Sequence, residues 1–300
     1  VKILLLGKDG QVGRELRRAL APLGELVALG RDAVDLRDQD GLLAALAAHR
    51  PDAIVNAAAY TAVDLAETDA ATAAQVNTIA VATLARHARD SGALLVHYST
   101  DYVFDGTRPR PYTETDAPNP LNVYGATKLA SERVIGDAGC DALVFRTSWV
   151  YSAHGKNFLK TILNLAWSRE SLDVVSDQYG TPTSAGLIAD ITALAFQRHL
   201  DGSLPAGTYH LTAAGAANWH EFAQYIVSAA IARGAVLTLA PERIRAIESQ
   251  DYPVAAKRPL NSRLDTALLS RALYLQLPGW TKPVDQVLDQ LIKPCNSVFR

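Results

Sequence analysis

"VKILLLGKDGQVG" (residues 1–13) decides the fold. A β-rich run from Lys2 to Leu6 passes at once into Gly7, Gly10 and Gly13, spaced G-x-x-G-x-x-G, and then into an amphipathic helical stretch over about 11–22. Glycines in such a turn let the backbone approach a pyrophosphate, whose charge meets the free N–H groups and positive end of the following helix. Ordinary strand-to-helix turns share this spacing, so its weight comes from position: directly after an N-terminal strand and before a helix. On this reading Gly7, Gly10, Gln11, Val12 and Gly13 form a cofactor-binding turn.

Outward from that turn, strand runs at 2–6, 26–29, 53–57, 94–98 and 143–146 alternate with helical runs at about 11–22, 39–49, 70–90 and 122–137. This is the order of parallel strands joined by crossover helices. Gly24 and Ser91-Gly92 stop two helices, and Pro51 closes another. After Trp149 the regularity loosens. A turn-rich stretch (177–186) precedes a helix over 186–200, a strand over 207–213 and a helix after Trp219, and the tail carries "KRPLNSRLD" (257–265). The expected class is α/β: a doubly wound Rossmann-type parallel sheet with a smaller carboxy-terminal substrate-binding lobe. Residues 1–146, completed by 184–212, would form the nucleotide-binding unit, and 147–183 with 213–300 the lobe. Ligands in such sheets bind at the carboxyl ends of the strands.

The bulk composition narrows the function classes. Of 300 residues 49% are hydrophobic and 20% charged, with a net charge of −2 spread along the chain. That leaves no basic footprint for nucleic acid or a membrane surface and favours small-molecule work. The opening run lacks the longer apolar core and cleavage site of a secretory signal, and no apolar stretch approaches the ~18 residues of a bilayer span. Cys140 and Cys295 stand far apart without metal-ligand spacing, which fits a reducing cytoplasm rather than a disulfide framework.

The strand ends hold the chemistry. The second strand ends "ALGRD" (28–32), with Gly30 where an acid would bind the adenosine ribose and Arg31 placed to accept a 2′-phosphate. NADPH is therefore the expected cofactor. A solvated turn arginine would look the same, so NADH is possible. Asp35 and Leu36 stand where an adenine edge would lie, and the small residues of "NAAAYT" (56–61) leave room for a flat ring and its ribose. In "LLVHYSTDYVFDG" (94–106) an apolar run ends in hydroxyls and an acid, and in "NVYGATKLASE" (122–132) Tyr124 and Lys128 share one helix face a turn apart. A carbonyl accepting hydride needs a proton on its oxygen. Tyrosine is a weak acid, with a pKa of roughly 10, and a lysine ammonium nearby lowers it. Thr100 would hold the same oxygen from the other side, although a strand-end hydroxyl also serves its own backbone.

With these residues assembled, the chain resembles the extended short-chain dehydrogenase/reductase family. The likeness runs over nearly the whole chain, through "GKDGQVG", "RPDAIVNAAAYTAVDLAE", "VHYSTDYVFDGT", "PLNVYGATKLASE", "FRTSWVY", "DQYGTPT" and "RPLNSRLD" in order. It implies a catalytic set of Thr100, Tyr124 and Lys128. Cofactor contacts follow at Gly10, Gln11, Val12, Asp35, Leu36, Ala59, Tyr60, Thr61 and Tyr98, with Lys128 on the nicotinamide ribose. Asp101, Tyr102 and Trp149 would meet a sugar nucleotide. The implied reaction is hydride transfer from NADPH, or NADH, to C4 of dTDP-4-dehydro-L-rhamnose, with Tyr124 protonating the new alkoxide. Related 4,6-dehydratases place a Glu after the Thr-Asp pair; here Tyr102 stands there, so the elimination base is missing. Epimerases use the same Tyr and Lys, and the carboxy-terminal motifs argue against them. Another 4-keto-6-deoxy sugar nucleotide, or an NADP-binding regulatory subunit without turnover as in animals, stays open at this point. Some members pair through a divalent metal. Glu15 would supply one ligand, but Gly186 stands where a second acid would help, so no metal is expected, and both monomer and homodimer remain open.

Overall fold

The structure, a computed structural model, describes residues 1–292. The chain opens with β1 (Lys2–Leu6), α1 (Gln11–Leu20), β2 (Glu25–Leu29), α2 (Gln39–His49) and β3 (Ala53–Asn56). α3 (Val63–Ala66), α4 (Ala70–Ala74) and α5 (Ala80–Ser91) lead to β4 (Leu94–Thr100), α6 (Val123–Ala138) and β5 (Ala142–Thr147). There follow β6 (Val150–Tyr151), α7 (Phe158–Ala166), β7 (Leu172–Val175), β8 (Tyr179–Gly180), β9 (Thr183–Ser184) and α8 (Ala185–Leu200). The remainder is β10 (Gly207–His210), β11 (Ala217–Asn218), α9 (Trp219–Ala232), β12 (Ile244–Ile247), α10 (Ala267–Ala272) and α11 (Thr281–Leu291).

Six strands form one sheet in the order β2-β1-β3-β4-β5-β10, every pair parallel. Side chains alternate between its faces. Ile3 and Leu5 of β1 pack with Leu16 and Leu20 of α1 and Ile188 and Phe196 of α8, whereas Leu4 and Leu6 pack with Leu42 of α2, Leu84 of α5 and Ile135 of α6. Helices therefore cover both faces, as the sequence pattern requires. The chain leaves β1 for β2 on one side and returns to β3 on the other, so a crevice opens between the loops after β1 and β3. A separate core joins α7, α9, α11, β7 and β12 through residues such as Leu159, Phe222, Ile226, Ile244 and Leu288. Leu269 and Leu273, late in the chain, nonetheless pack with the sheet's core. Among the described residues no helix is long and apolar enough to cross a membrane.

Several elements differ in extent from the sequence reading, the strand expected over 207–213 ending at His210 among them, and two of the differences bear on the site. The helix expected over 70–90 is broken by a π turn at Gln75–Ile79, and the re-aimed Asn77 is tied to the loop after β3 and to α6. Its Oδ1 accepts from the Tyr60 N–H (2.8 Å), and its Nδ2 donates to Tyr60 O (3.0 Å) and Thr127 Oγ1 (3.1 Å). Strand β4 runs two residues further than expected, because Ser99 and Thr100 keep register with Arg146 and Thr147 of β5.

Helix α6 is seated on the end of β4 by its first residues. Asn122 caps it, accepting from the Gly125 N–H (2.8 Å) while donating to Lys257 O (2.9 Å). Gly125 lies so close to the turn after β4 that a Cβ there would stand 2.2 Å from Tyr102 O. Gly125→Ala should therefore destabilise the fold by about 1–3 kcal/mol through overpacking. Gly136→Ala, on the exposed side of the same helix with nothing near its Cβ, should stabilise by about 0.4–1 kcal/mol. Urea unfolding of both variants checks the pair, and effects of the same sign would contradict the close approach at Gly125.

Candidate active site

The turn after β1 brings three elements into contact. Gly7 adopts φ +82, and a Cβ on it would lie 2.7 Å from Ala58 N; one on Gly13 would lie 2.0 Å from Gly7 O. Gly10 precedes α1 in extended backbone and no side chain caps that helix, so its positive end is left for an anion. Gly7, Gly10, Gln11 and Val12 line a cleft of about 690 Å³ that reaches the carboxyl end of β4. Gln11 Oε1 also accepts from Ser152 Oγ (3.1 Å) and Asn157 Nδ2 (2.8 Å), fastening the loop after β6 to the turn. Two expected contacts are not on the cleft wall. Gly13 serves packing within the turn, and Tyr60 points its hydroxyl to Asp69 Oδ2 (3.1 Å), its backbone held by Asn77.

At the crevice end, Arg31, Asp35, Leu36, Ala59 and Thr61 all line the cleft. A Cβ on Gly30 would meet Asp9 Oδ2 at 2.3 Å and Asp32 Oδ1 at 2.6 Å, so these two side chains would have to shift to admit one. Asp35 is engaged by Arg37, whose guanidinium hydrogen bonds hold the carboxyl down at about 2. At the other end, Thr147 Oγ1 and Asp101 Oδ2 are buried without a hydrogen-bond partner, and both residues line the cleft. A glycine cradle, an uncapped helix start and unpartnered polar atoms fit a dinucleotide and a polar substrate lying end to end.

The strand end of β4 assembles the proton chemistry. Thr100 donates to Asp101 Oδ1 (3.0 Å) and accepts from the Tyr102 N–H (3.2 Å), while Tyr124 and Lys128 reach the same cleft from α6. Tyr98 lines the cleft too, its hydroxyl donating to Thr192 Oγ1 (3.0 Å). Burial pushes the Tyr124 phenol up to about 12, against the opposing Thr100 hydroxyl, and Asp101 adds to the rise. Lys128, expected to lower the phenol, is not among the groups that act on it here; desolvation sets the direction. Lys128 itself is buried, and desolvation brings its ammonium down to about 8, with Glu132 opposing. Burial likewise raises Asp101 to about 7, with Ser262 and Thr100 limiting the rise. Tyr102 sets its ring edge-on to Tyr124 at 6.1 Å, and desolvation raises its phenol.

Trp149 holds a left-handed backbone (φ +48) and stacks on Trp219 at 3.5 Å and 5°. A Cβ on Gly180 would run into its ring at 2.4 Å, and Trp219 Nε1 donates to Gln178 Oε1 (3.2 Å). Trp219 and Lys156 line the cleft without having been singled out from sequence. The Asn218/Glu221 capping box is the one readable signal, since it makes Trp219 the first residue of a helix.

A family model described as RmlD substrate binding domain matches residues 1–293. A dTDP-4-dehydrorhamnose reductase of Burkholderia thailandensis is 47% identical over 296 residues, covering 97% of this chain and 99% of that one. The Salmonella typhimurium enzyme of the same name is 47% identical over 295 residues, covering 97% and 98%. A crystal structure of dTDP-4-dehydrorhamnose reductase from Bacillus anthracis in complex with NADP superposes with a TM-score of 0.87 at 31% identity, covering 96% of this chain and 99% of that chain.

The raised Asp101 pKa has a consequence for stability. The folded state binds this proton more tightly than the unfolded state, whose carboxyl titrates near 3.8. Its contribution is therefore full below that value and lost as pH rises through about 7. Asp101→Asn removes the dependence. The variant should be more stable than the parent at about pH 8, by about 1–3 kcal/mol, with the difference shrinking toward about pH 5. Urea melts at the two pH values test this; parallel behaviour would contradict it.

Proposed function

The chain belongs to the dTDP-4-dehydrorhamnose reductase family, and from that premise we propose that its cleft reduces the C4 keto group of dTDP-4-dehydro-L-rhamnose to dTDP-L-rhamnose with NADPH, the last step of dTDP-rhamnose synthesis. The observation that carries the reading is the meeting of Thr100, Tyr124 and Lys128 in the same cleft as the Gly7–Gly10 turn.

Bound NADPH supplies the hydride that reduces C4. Everything else falls to the protein. The N-terminus of α1, opened by Gly10 and flanked by Gln11 and Val12, would receive the cofactor's diphosphate. Arg31 would meet the 2′-phosphate, and Lys128 the nicotinamide ribose. Thr100 orients the carbonyl oxygen, and Tyr124 delivers its phenolic proton there as negative charge develops. A phenol held near 12 is protonated at neutral pH, which suits a donor. Asp101, Tyr102 and Trp149 would bind the deoxysugar nucleotide. Tyr102 offers no carboxylate to remove a proton, so the site favours reduction over dehydration. We assign residues 1–146 with 184–212 to the cofactor unit and 147–183 with 213–292 to the substrate lobe, α10 excepted because Leu269 and Leu273 pack with the sheet; the expected remainder of the lobe, 293–300, lies outside the described residues. The sparse cysteines support a cytoplasmic setting.

The deciding experiment follows reduced-nicotinamide absorbance when the purified protein meets NADPH and the 4-keto sugar nucleotide made in situ, with dTDP-L-rhamnose identified as product. Oxidation should depend on the sugar nucleotide. Tyr124→Phe should lower kcat by about 10²- to 10⁴-fold while leaving NADPH binding nearly unchanged; retained turnover would remove Tyr124 as donor. Arg31→Ala should raise the KM for NADPH about 10- to 100-fold and barely affect NADH, whereas equal effects on both would detach Arg31 from the 2′-phosphate.

A further inference from the structure

The hydroxyl of Thr100 has one hydrogen to give and two lone pairs to fill. One lone pair takes the Tyr102 N–H (3.2 Å), and Asp101 Oδ1 lies 3.0 Å away. Two arrangements complete this set. Facing a carboxylate, Thr100 must donate its hydrogen to Oδ1, and only a lone pair is left for the cleft. A substrate carbonyl oxygen, itself an acceptor, would then meet a second acceptor. Facing a carboxylic acid, Thr100 accepts from an Oδ1–H instead, and its own hydrogen is released for the substrate oxygen. The reduction proposed above needs the second arrangement, because negative charge grows on that oxygen.

The surroundings of Asp101 favour the acid. Asp101 is 2% exposed, and its Oδ2 is buried without a hydrogen-bond partner, an unfavourable place for half of a carboxylate charge. Nearby cations are committed elsewhere: Arg258, which lies against Tyr102, pairs with Asp64 Oδ2 (2.8 Å), and Lys128 Nζ of α6 meets His97 Nε2 (3.1 Å). Tyr102 and Tyr124, which also face Asp101, are phenols raised by desolvation and stay neutral. Ser262 of the carboxy-terminal motif faces the carboxyl too, with its hydroxyl donating to Tyr179 O (3.3 Å). Protonation at Oδ2 would leave a buried O–H with no acceptor, so the hydrogen belongs on Oδ1, against Thr100. We propose that Asp101 is a positioning residue in its protonated form, whose Oδ1–H fills the second lone pair of Thr100 and so turns the Thr100 hydroxyl into a donor for the substrate carbonyl. No proton leaves Asp101 in the reaction. This role rests on the reductase reading above, but its first test needs no substrate.

Infrared difference spectra of the parent minus Asp101→Asn, without ligands, should show the carbonyl stretch of a carboxylic acid at about pH 6, lost as pH rises through about 7. In Thr100→Val the acid loses its acceptor, so the band should move to higher frequency, and Thr100→Ser should restore it. Absence of the band at about pH 6, or a band that Thr100→Val leaves in place, would overturn the proposal whether or not the protein reduces the sugar nucleotide. In turnover, kcat/KM of the parent should fall about tenfold per pH unit above about 7. It should level off about 10²- to 10³-fold lower, the usual effect of removing one hydrogen-bond donor from the reacting oxygen. Asp101→Asn cannot ionise, so its fall should begin only at about 8, where Lys128 loses its proton. Thr100→Val separates positioning from direct action: its acid band should still titrate while kcat/KM no longer follows it. If kcat/KM still tracked the band in Thr100→Val, Asp101 would act on the substrate directly, and the role given to Thr100 would fall.

Discussion

Strand β4 is buried along its whole length and yet ends polar, and that combination governs the arrangement around it. A buried polar group left unpaired costs about 1–3 kcal/mol, and a charge more. Tyr98 reaches Thr192 on α8, and the other polar side chains of β4 turn chiefly to α6 or to their own turn. His97 meets Ser131 and Lys128, Ser99 Oγ donates to Glu132 Oε1, and Glu132 is in turn held by Arg146 from β5. These pairs fix the rotation of α6 about its axis. Once that rotation is fixed, residues one turn apart on the same face, Tyr124 and Lys128, arrive beside Thr100 without further instruction.

The second constraint is that the cleft is tied shut at its seams by polar contacts between distant parts of the chain. Gln11 holds the loop after β6, Asp64 Oδ2 accepts from Arg258 Nη2 (2.8 Å), and Asn122 holds the Lys257 carbonyl. The carboxy-terminal motif around Asn261 has the same structural duty. Asn261 Nδ2 donates to the carbonyls of Arg108 and Arg110 (2.6 and 2.9 Å), bracing the long connection between β4 and α6. A motif that carries family likeness thus works here as scaffolding rather than chemistry.

Much of this was legible in the sequence because local rules and tertiary demands agree. The glycine turn, the alternating strands and helices and the four-residue spacing of Tyr124 and Lys128 each follow from backbone geometry alone. What escaped depends on distant partners. The π turn at Gln75–Ile79 has no compositional mark, and its use appears only when Asn77 meets Tyr60 and Thr127. Gly13 satisfies the spacing of a phosphate turn, yet it lies off the cleft wall, and its missing Cβ is what admits Gly7 O. Trp219 stands seventy residues from its stacking partner, and no periodicity joins them. The Tyr124 pKa ran opposite to expectation because spacing reveals neighbours but not the desolvation that sets the direction.

The stacked indoles of Trp149 and Trp219 have an optical meaning. One follows β5 of the large sheet and the other starts α9, and both pack against the second core, so their stacking seats the chain after β5 on α9. Parallel rings at 3.5 Å share their electronic excitation, and the strength of that sharing falls steeply with distance. Of the chain's four tryptophans, Trp167 is half exposed and Trp280 sits edge-on to Phe222 and Tyr225. The face-to-face pair therefore gives the near-ultraviolet circular dichroism a component of its own, a built-in report on whether the chain after β5 stays seated on α9 that needs no attached dye.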